Sequence, residues 1–549
     1  MSDVTRLLDR DVFQFQLGAV AEEMSATIRR SAFSPIVWDM LDYSCAVFSP
    51  RGEMLAQAET IAAQLGVMGF ALKGIAGAIP IETWNEGDVL MCNDPYRGCT
   101  HTPDIVLFSP VFIDGRLIAI TATIAHHVDI GGRVPSTTSP DNVEVFGEGL
   151  IFPPIKLFDR GVRNETIMAF VGANVRRPTA CSGDLAAQIA GCRTGERRVK
   201  ELAAKYGVER FAGLCAECLD YGERYTKAAI GALPRARRTA EVLIEDDVSS
   251  DRLIGIRVSV TIGDDGITID FTGTDAQRPN ALNCPLSSTL SMALYAVRCL
   301  TAPDGPRNEG GNRLVRIHVP DGSFLNPKRP AAVGNRHFAQ QAVADVVLRA
   351  LVDLFPDVSA AGCQISFPAL RAGGFDTRRP DAPRYFILHD IIGGGMGGFA
   401  SGDGLNAVDT HGGNCGAMSA ELVESTSPIR VLRSELVDDS GGAGTHRGGL
   451  AMRRDYQMLA DGLLVSAYLQ QCSDATAPWG AVGGANGRPA SAVINPGGPD
   501  ERRLPSKAMR IDPRKGDVVR IESAGGGGWG PALAGGRSVA NDDRIDRHG

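Results

Sequence analysis

Residues 88–129 read DVLMCNDPYRGCTHTPDIVLFSPVFIDGRLIAITATIAHHVD. Asp88 to Cys92 is strand-like, and the polar loop NDPYRGCTHTP follows it. Two apolar runs, Asp104 to Phe112 and Arg116 to Ala125, then flank Asp114-Gly115, a dipeptide that favours the tight turn of a β-hairpin. With Asp114 and Gly115 as the central pair, positions pair when their numbers sum to about 229. Pro103 then lies opposite His126, and His101 is a same-face diagonal neighbour of His126. Asp104 pairs with Ala125, His127 is diagonal to Asp104, and Asp129 lies just beyond. Pro103 breaks the ladder, and a slip of one residue exchanges which histidine faces which carboxylate.

Neutral imidazoles and carboxylates held on rigid strands form a donor set for zinc, manganese or iron, and they suit acid/base chemistry equally well. A lone histidine in such a place is more often a satisfied core residue. Here three of the nine histidines fall within 27 consecutive residues and converge with two carboxylates, which turns the balance toward a metal site. Neither HExxH nor a paired CxxC strengthens that reading. Cys215-Ala-Glu-Cys218 has zinc-ligand spacing, but it lies in a helical pattern with Leu214 and Leu219 and reads as two buried thiols. Gly393 to Gly398 satisfies GxGxxG after the strand-like YFILHDII, yet FASGDG follows where a dinucleotide fold needs a helix. The chain has no GxxxxGK[ST] and no GxSxG, so a Walker-type ATP site and a hydrolase elbow are both missing. Any ATP used is bound by something else.

Outward from the hairpin, residues 10–30 space Phe13, Leu17, Val20, Met24 and Ile28 by three and four, the stripe of an amphipathic helix. Residues 43–48 and 53–58 flank the turn Ser49-Pro50-Arg51-Gly52 as a second hairpin, and 63–79 is an apolar helix. Residues 182–232 are mainly helical. From about 240 strands and turns dominate, with a hairpin at Asp264-Asp265-Gly266 and helical segments near 287–300 and 337–354. Glycine, 65 residues in all, gathers in pairs and runs beyond 370, where the backbone turns tightly or approaches something closely. The expected fold class is α+β: a metal-bearing α/β part over 1–235, then a glycine-rich, β-dominated part over 236–530 with inserted helices. Residues 531–549 read as a disordered tail.

The 549-residue chain carries a net charge of −8, which lacks the cationic field that nucleic acids require. The cluster Arg235, Arg237, Arg238 reads as a solvated linker. Without a signal-type N-terminus or an 18-residue apolar run, a soluble cytoplasmic protein is expected, and its 12 scattered cysteines suit reduced thiols. The sequon Asn164-Glu165-Thr166 then has no meaning as a glycan site.

Several strings resemble the hydantoinase B family, which includes the corresponding half of 5-oxoprolinase and the metal-bearing subunits of acetone and acetophenone carboxylases. They are Asp42-Tyr43-Ser44-Cys45-Ala46, GDVLMCNDPYRGCTHTPD, AHHVDIGG, EVFGEGLIFPPIKL, NEGGNRLVRIHVPDGSFLNP, SGGAGTHRGGL and GDVVRIESAGGGGWG, running in order from about residue 10 to 530. The resemblance implies a metal site built from Asp42, His101 and His126, with Asp104 and His127 close by. It also implies an obligatory hydantoinase A-like partner that binds ATP and its Mg²⁺. Two departures bear on substrate identity: Met418-Ser419-Ala420-Glu421 stands where relatives carry Thr-Pro-Val-Glu, and Met396 stands where an aromatic is common.

The resulting expectation is the metal-binding catalytic subunit of an ATP-dependent hydrolase of cyclic amides such as hydantoin, 5-oxoproline or a lactam. Asp42, His101, Asp104 and His126 would hold zinc, manganese, iron or cobalt, and His127 or Asp129 would move protons. A ketone carboxylase uses the same parts on an enolised ketone and bicarbonate. A noncatalytic scaffold for the ATP-binding partner is the third reading, and it does not require clustered imidazoles.

Overall fold

The structure, a computed structural model, describes residues 3–136 and 138–532. It has two compact units. Met1–Arg238, Val258–Gln340 and Gly412–Gly416 form the first; Thr239–Arg257, Gln341–His411 and the chain from Ala417 on form the second. The expected boundary at 235/236 lies beside the first crossing, but residues 258–340 group with the N-terminal part. Side chains from this stretch bond N-terminal backbone: Ser287 Oγ donates to the Cys99 carbonyl at 2.7 Å and Asn308 Nδ2 to that of Cys218 at 3.0 Å. The expected tail falls, from residue 533 on, outside the described residues. Among the described residues no helix is long and apolar enough to cross a membrane.

In the first unit α1 (Asp3–Ser31) buries the stripe Phe13, Leu17, Val20, Met24 and Ile28, and the short α2 (Pro35–Trp38) follows. A seven-stranded sheet runs in the order β2-β1-β5-β4-β3-β6-β7. Its strands are β1 (Tyr43–Phe48), β2 (Met54–Gln57), β3 (Val89–Cys92), β4 (Asp104–Ile113), β5 (Arg116–His126), β6 (Ile155–Asp159) and β7 (Val162–Arg163). Period-two alternation sends Val106, Phe108, Ala122 and Ile124 to one face, where they pack with Leu65, Met68 and Leu72 of α3 (Ala62–Ala76). Ile105 and Leu107 go to the other face, against Cys181, Leu185 and Cys192 of α5 (Pro178–Tyr206).

Asn164, the sequon residue, caps α4 (Glu165–Asn174): its side chain accepts from the Ile167 N–H at 3.3 Å. Cys215 and Cys218 lie buried on α6 (Val208–Gly231), as their helical setting implied. The chain crosses between units within β8 (Ala236–Ile244) and β9 (Ile254–Gly263). β10 (Gly266–Asp270) pairs antiparallel with β9 and parallel with β11 (Val315–His318), and α7 (Leu286–Thr301) packs on α3. α8 (His337–Leu351) carries the chain into the second unit.

The register of the β4–β5 hairpin corrects the sequence reading. Next to the turn Ile113 pairs Arg116 and Phe112 pairs Leu117, as expected. Val111 then pairs Ala119, so Ile118 is an extra residue in β5, and every later pair is displaced by one. Asp104 therefore stands directly opposite His126, and Ile105 opposite Ala125.

The second unit holds two antiparallel sheets. One orders β13 (Arg384–Ile391), β12 (Ala369–Asp376), β16 (Leu464–Tyr468) and β19 (Lys507–Ile511). The other orders β14 (Ile429–Val437), β15 (Ala451–Met458), β20 (Val518–Glu522), β17 (Ser491–Ile494) and β18 (Arg502–Arg503), with α9 (Ala420–Thr426) ahead of β14. No helix follows the 393–398 glycines, in keeping with the rejected dinucleotide motif.

The glycine runs are more than turns. Consecutive N–H groups of Gly525, Gly526, Gly527 and Gly528 donate to Arg488, Gly449, Gly362 and Ala485 respectively. The first and fourth thus return to one segment, the three-residue period of an extended polyproline-like chain bonded to neighbours on all sides. Only a residue without a side chain fits there: a Cβ on Gly526 would stand 1.9 Å from the Met396 carbonyl oxygen.

Candidate metal centre

Asp104 opens β4 and His126 closes β5, so the bulge at Ile118 sets both side chains on the face that α3 covers. His101 comes from the loop before β4, whose course is fixed by the Asp104 N–H bonding the His101 carbonyl at 3.1 Å. Three lone-pair atoms converge. His101 Nε2 lies 3.2 Å from His126 Nδ1 and 3.1 Å from Asp104 Oδ1, and His126 Nδ1 lies 3.0 Å from the same oxygen. Donors held about 2.0–2.2 Å from one divalent ion stand about 3.0–3.4 Å apart in octahedral or tetrahedral sets. The observed spacings match, and the three side chains are buried.

The surroundings orient these donors. His101 Nδ1 lies 2.9 Å from the Gly334 carbonyl, which only accepts; this nitrogen carries the proton, and Nε2 presents its lone pair to the cluster. Burial pushes the His101 pKa down to about 4, aided by the nearby Arg336 guanidinium, so the ring is neutral and competent to ligate. Burial alone would raise the Asp104 carboxyl, but His101, His126 and Arg336 together hold it well below the usual range. Its Oδ2 accepts from Thr100 Oγ1 at 2.5 Å and Arg336 Nη2 at 2.9 Å, leaving Oδ1 to the cluster. Glu148 accepts from the Val333 and Gly334 N–H groups at 3.0 and 2.6 Å, bracing the turn that holds His101.

Asp42 is the outer member. The His126 N–H bonds its carbonyl at 3.0 Å, and its Oδ2 stands 3.9 Å from His126 Nδ1. Gln64 of α3 donates to Asp42 Oδ1 at 2.7 Å, and Ser44 donates to Gln64 Oε1 at 3.0 Å. Burial raises the Asp42 pKa to about 6 against the opposing pull of His126.

His127 and Asp129 face elsewhere. Strand alternation turns His127 toward α5, where Nε2 lies 3.0 Å from Gln188 Oε1 and Nδ1 lies 3.5 Å from Cys181 Sγ. Asp129 is clamped by Arg176, with Nη1 at 2.8 Å from Oδ1 and the backbone N–H at 2.7 Å from Oδ2. Thr100 and Glu148 lie within strings that carry the family resemblance, but spacing does not single them out. Arg336 lies 232 residues from Asp104, and no local pattern marks it.

A family model described as Hydantoinase B/oxoprolinase matches residues 8–532. The chain is 33% identical over 545 residues to the B-type component of a putative D-/L-hydantoinase from Pseudomonas sp. (strain NS671), covering 96% of this chain and 90% of the relative. Among solved structures, the ATP-dependent caprolactamase from Pseudomonas jessenii superposes with a TM-score of 0.88 at 28% identity, covering 95% of this chain and 91% of that one. A nucleotide-free acetone carboxylase shares the fold, with a TM-score of 0.87 at 20% identity over 95% of this chain and 75% of its own.

Proposed function

The chain belongs to the hydantoinase B/oxoprolinase family, and from that premise we propose that it is the metal-binding catalytic subunit of an ATP-dependent cyclic-amide hydrolase. In this reading it acts in the cytoplasm with a hydantoinase A-like subunit that binds ATP and Mg²⁺. The observation that carries it is the convergence of His101 Nε2, His126 Nδ1 and Asp104 Oδ1 within 3.2 Å of one another. His101, Asp104 and His126 would hold a divalent ion, zinc, manganese, iron or cobalt, with Asp42 beside them. Such an ion supplies Lewis acidity to an amide carbonyl and to water.

The chain's own residues do the rest. Arg336 and Thr100 keep Asp104 anionic and aimed, and the Gly334 carbonyl keeps the His101 proton on the outer nitrogen. Gln64 fixes the Asp42 carboxylate at the rim. His127 or Asp129 would move a proton from the attacking water to the leaving nitrogen; each must first exchange a present partner, Gln188 or Arg176.

The purified complex with its ATP-binding partner, given ATP and hydantoin, 5-oxoproline or a lactam, is expected to release phosphate in step with ring opening. Elemental analysis is expected to find one divalent ion per chain. Phosphate release without ring opening rejects the hydrolase. Bicarbonate-dependent consumption of a ketone would establish the carboxylase in its place. Unchanged turnover in His101→Ala would leave only a scaffold.

A further inference from the structure

α3 and α7 enclose a cleft of about 400 Å³, within the size range of small-molecule sites. Leu65, Leu294 and Met54 supply an apolar surface, and Gly69 leaves room: a Cβ there would meet nothing within 4 Å. Charged groups of both signs line the same space. Arg298 donates through Nη2 to the Gly305 carbonyl at 2.9 Å, and among the described residues it has no carboxylate within ion-pairing distance. Burial holds its pKa below the ordinary arginine value, so a carboxylate ligand would relieve a desolvated cation. Glu309 is half-buried, its carboxyl pKa raised by burial against the opposing pull of Lys73, and its side chain accepts from the amide of Asn312 at 3.4 Å. Arg307 and Glu59, also in the lining, pair with each other. Thr60 Oγ1 lines the cleft without a hydrogen-bond partner.

An apolar surface that bears, besides the Arg307–Glu59 pair, one further cation and one further anion suits a molecule with a carboxylate at one end, an ammonium at the other and methylenes between. We propose that the α3–α7 cleft is a binding site for a linear amino-acid zwitterion, with Arg298 taking the carboxylate and Glu309 the ammonium. Hydrolysis of a lactam yields a compound of this class, so the cleft is a product site to the extent that the ring-opening reading holds. One helix serves both places: Leu65 and Gly69 line the cleft, while Gln64 of the same helix holds Asp42.

The test is calorimetric titration of 5-aminopentanoate into the full chain assembled with its ATP-binding partner, alongside pentanoate and pentylamine. One site per chain is expected, with each singly charged analogue at least about tenfold weaker. Arg298→Met is expected to weaken 5-aminopentanoate about tenfold, and Gly69→Leu, which fills the cleft, to abolish its binding. Circular dichroism and metal content are expected to stay unchanged in both variants. The proposal is overturned if no heat is seen, if both variants bind as the parent does, or if binding is lost in His101→Ala but kept in Gly69→Leu, which would place the ligand at the metal centre. Binding that persists in a complex unable to open any ring would refute the hydrolase while leaving the cleft site standing.

Discussion

The end of the β4–β5 hairpin and the glycine bundle of the second unit are both buried, both polar and built by opposite means. At the hairpin end, side chains do the work: two imidazoles and a carboxylate meet within 3.2 Å, with Thr100 and Arg336 bonded to the carboxylate and the Gly334 carbonyl to His101. In the bundle side chains are removed, and backbone meets backbone at distances that no Cβ tolerates. On the proposed reading, failures of the first should appear in metal content and turnover. The second is a framework whose failures should appear as loss of folding. The difference teaches that abundant glycine and scarce histidine in one chain mark separate tasks.

The largest effect that could break this contrast is expected from Gly526→Ala. Its Cβ would stand 1.9 Å from a backbone oxygen that has nowhere to retreat, and a cost above about 4 kcal/mol is expected, seen as insoluble protein or a lost cooperative transition in denaturant. A variant that folds normally would show that the bundle is loose. An intermediate effect is expected from Arg336→Met, which removes the cation that supports Asp104 without touching a ligand: affinity for the metal should fall about 10–100-fold, measured by competition with a chelator, with the thermal transition of the metal-free protein little changed. Equal metal affinity would divide the centre from its surroundings.

The smallest effect sharpens the comparison through pH. Asp88, at the start of β3, accepts from the Asn85 and Arg160 N–H groups at 2.8 Å each and pairs with Lys156 at 2.9 Å. Burial opposes its ionisation, but these partners prevail and lower its pKa below the ordinary 3.8. A folded-state value below the unfolded one contributes stability that is fully present above pH 3.8 and is lost as pH falls through the folded value. Asp88→Asn should cost about 1–2 kcal/mol at pH 7 and less in acid, read from denaturant midpoints. The cost of a bundle glycine variant should not vary with pH at all, because no titrating group is involved.

How much of this was legible in the sequence follows from how local each cause is. The α1 stripe, the hairpin turn at Asp114-Gly115 and the pairing of Phe112 with Leu117 follow from spacing and turn chemistry over a few residues. Ile118 is an ordinary β-branched residue in a strand, and nothing local says that it will be left unpaired, so spacing alone puts the register beyond it one place off. Arg336 and Gly334 reach the centre from more than 200 residues away, a distance that pattern reading does not cross. The glycines announced close approach, but their three-residue period arises only when several separate segments lie side by side.

The unpaired Ile118 has one last consequence. Eight positions ahead of His126, it works as a phase shifter: with it in the ladder, Asp104 would meet Ala125, and His126 would be carried one place along toward Pro103. Whether Asp104 and His126 face each other is therefore decided at a spot with no chemistry of its own. One residue inserted or removed there would set the pair facing each other or apart without touching either side chain.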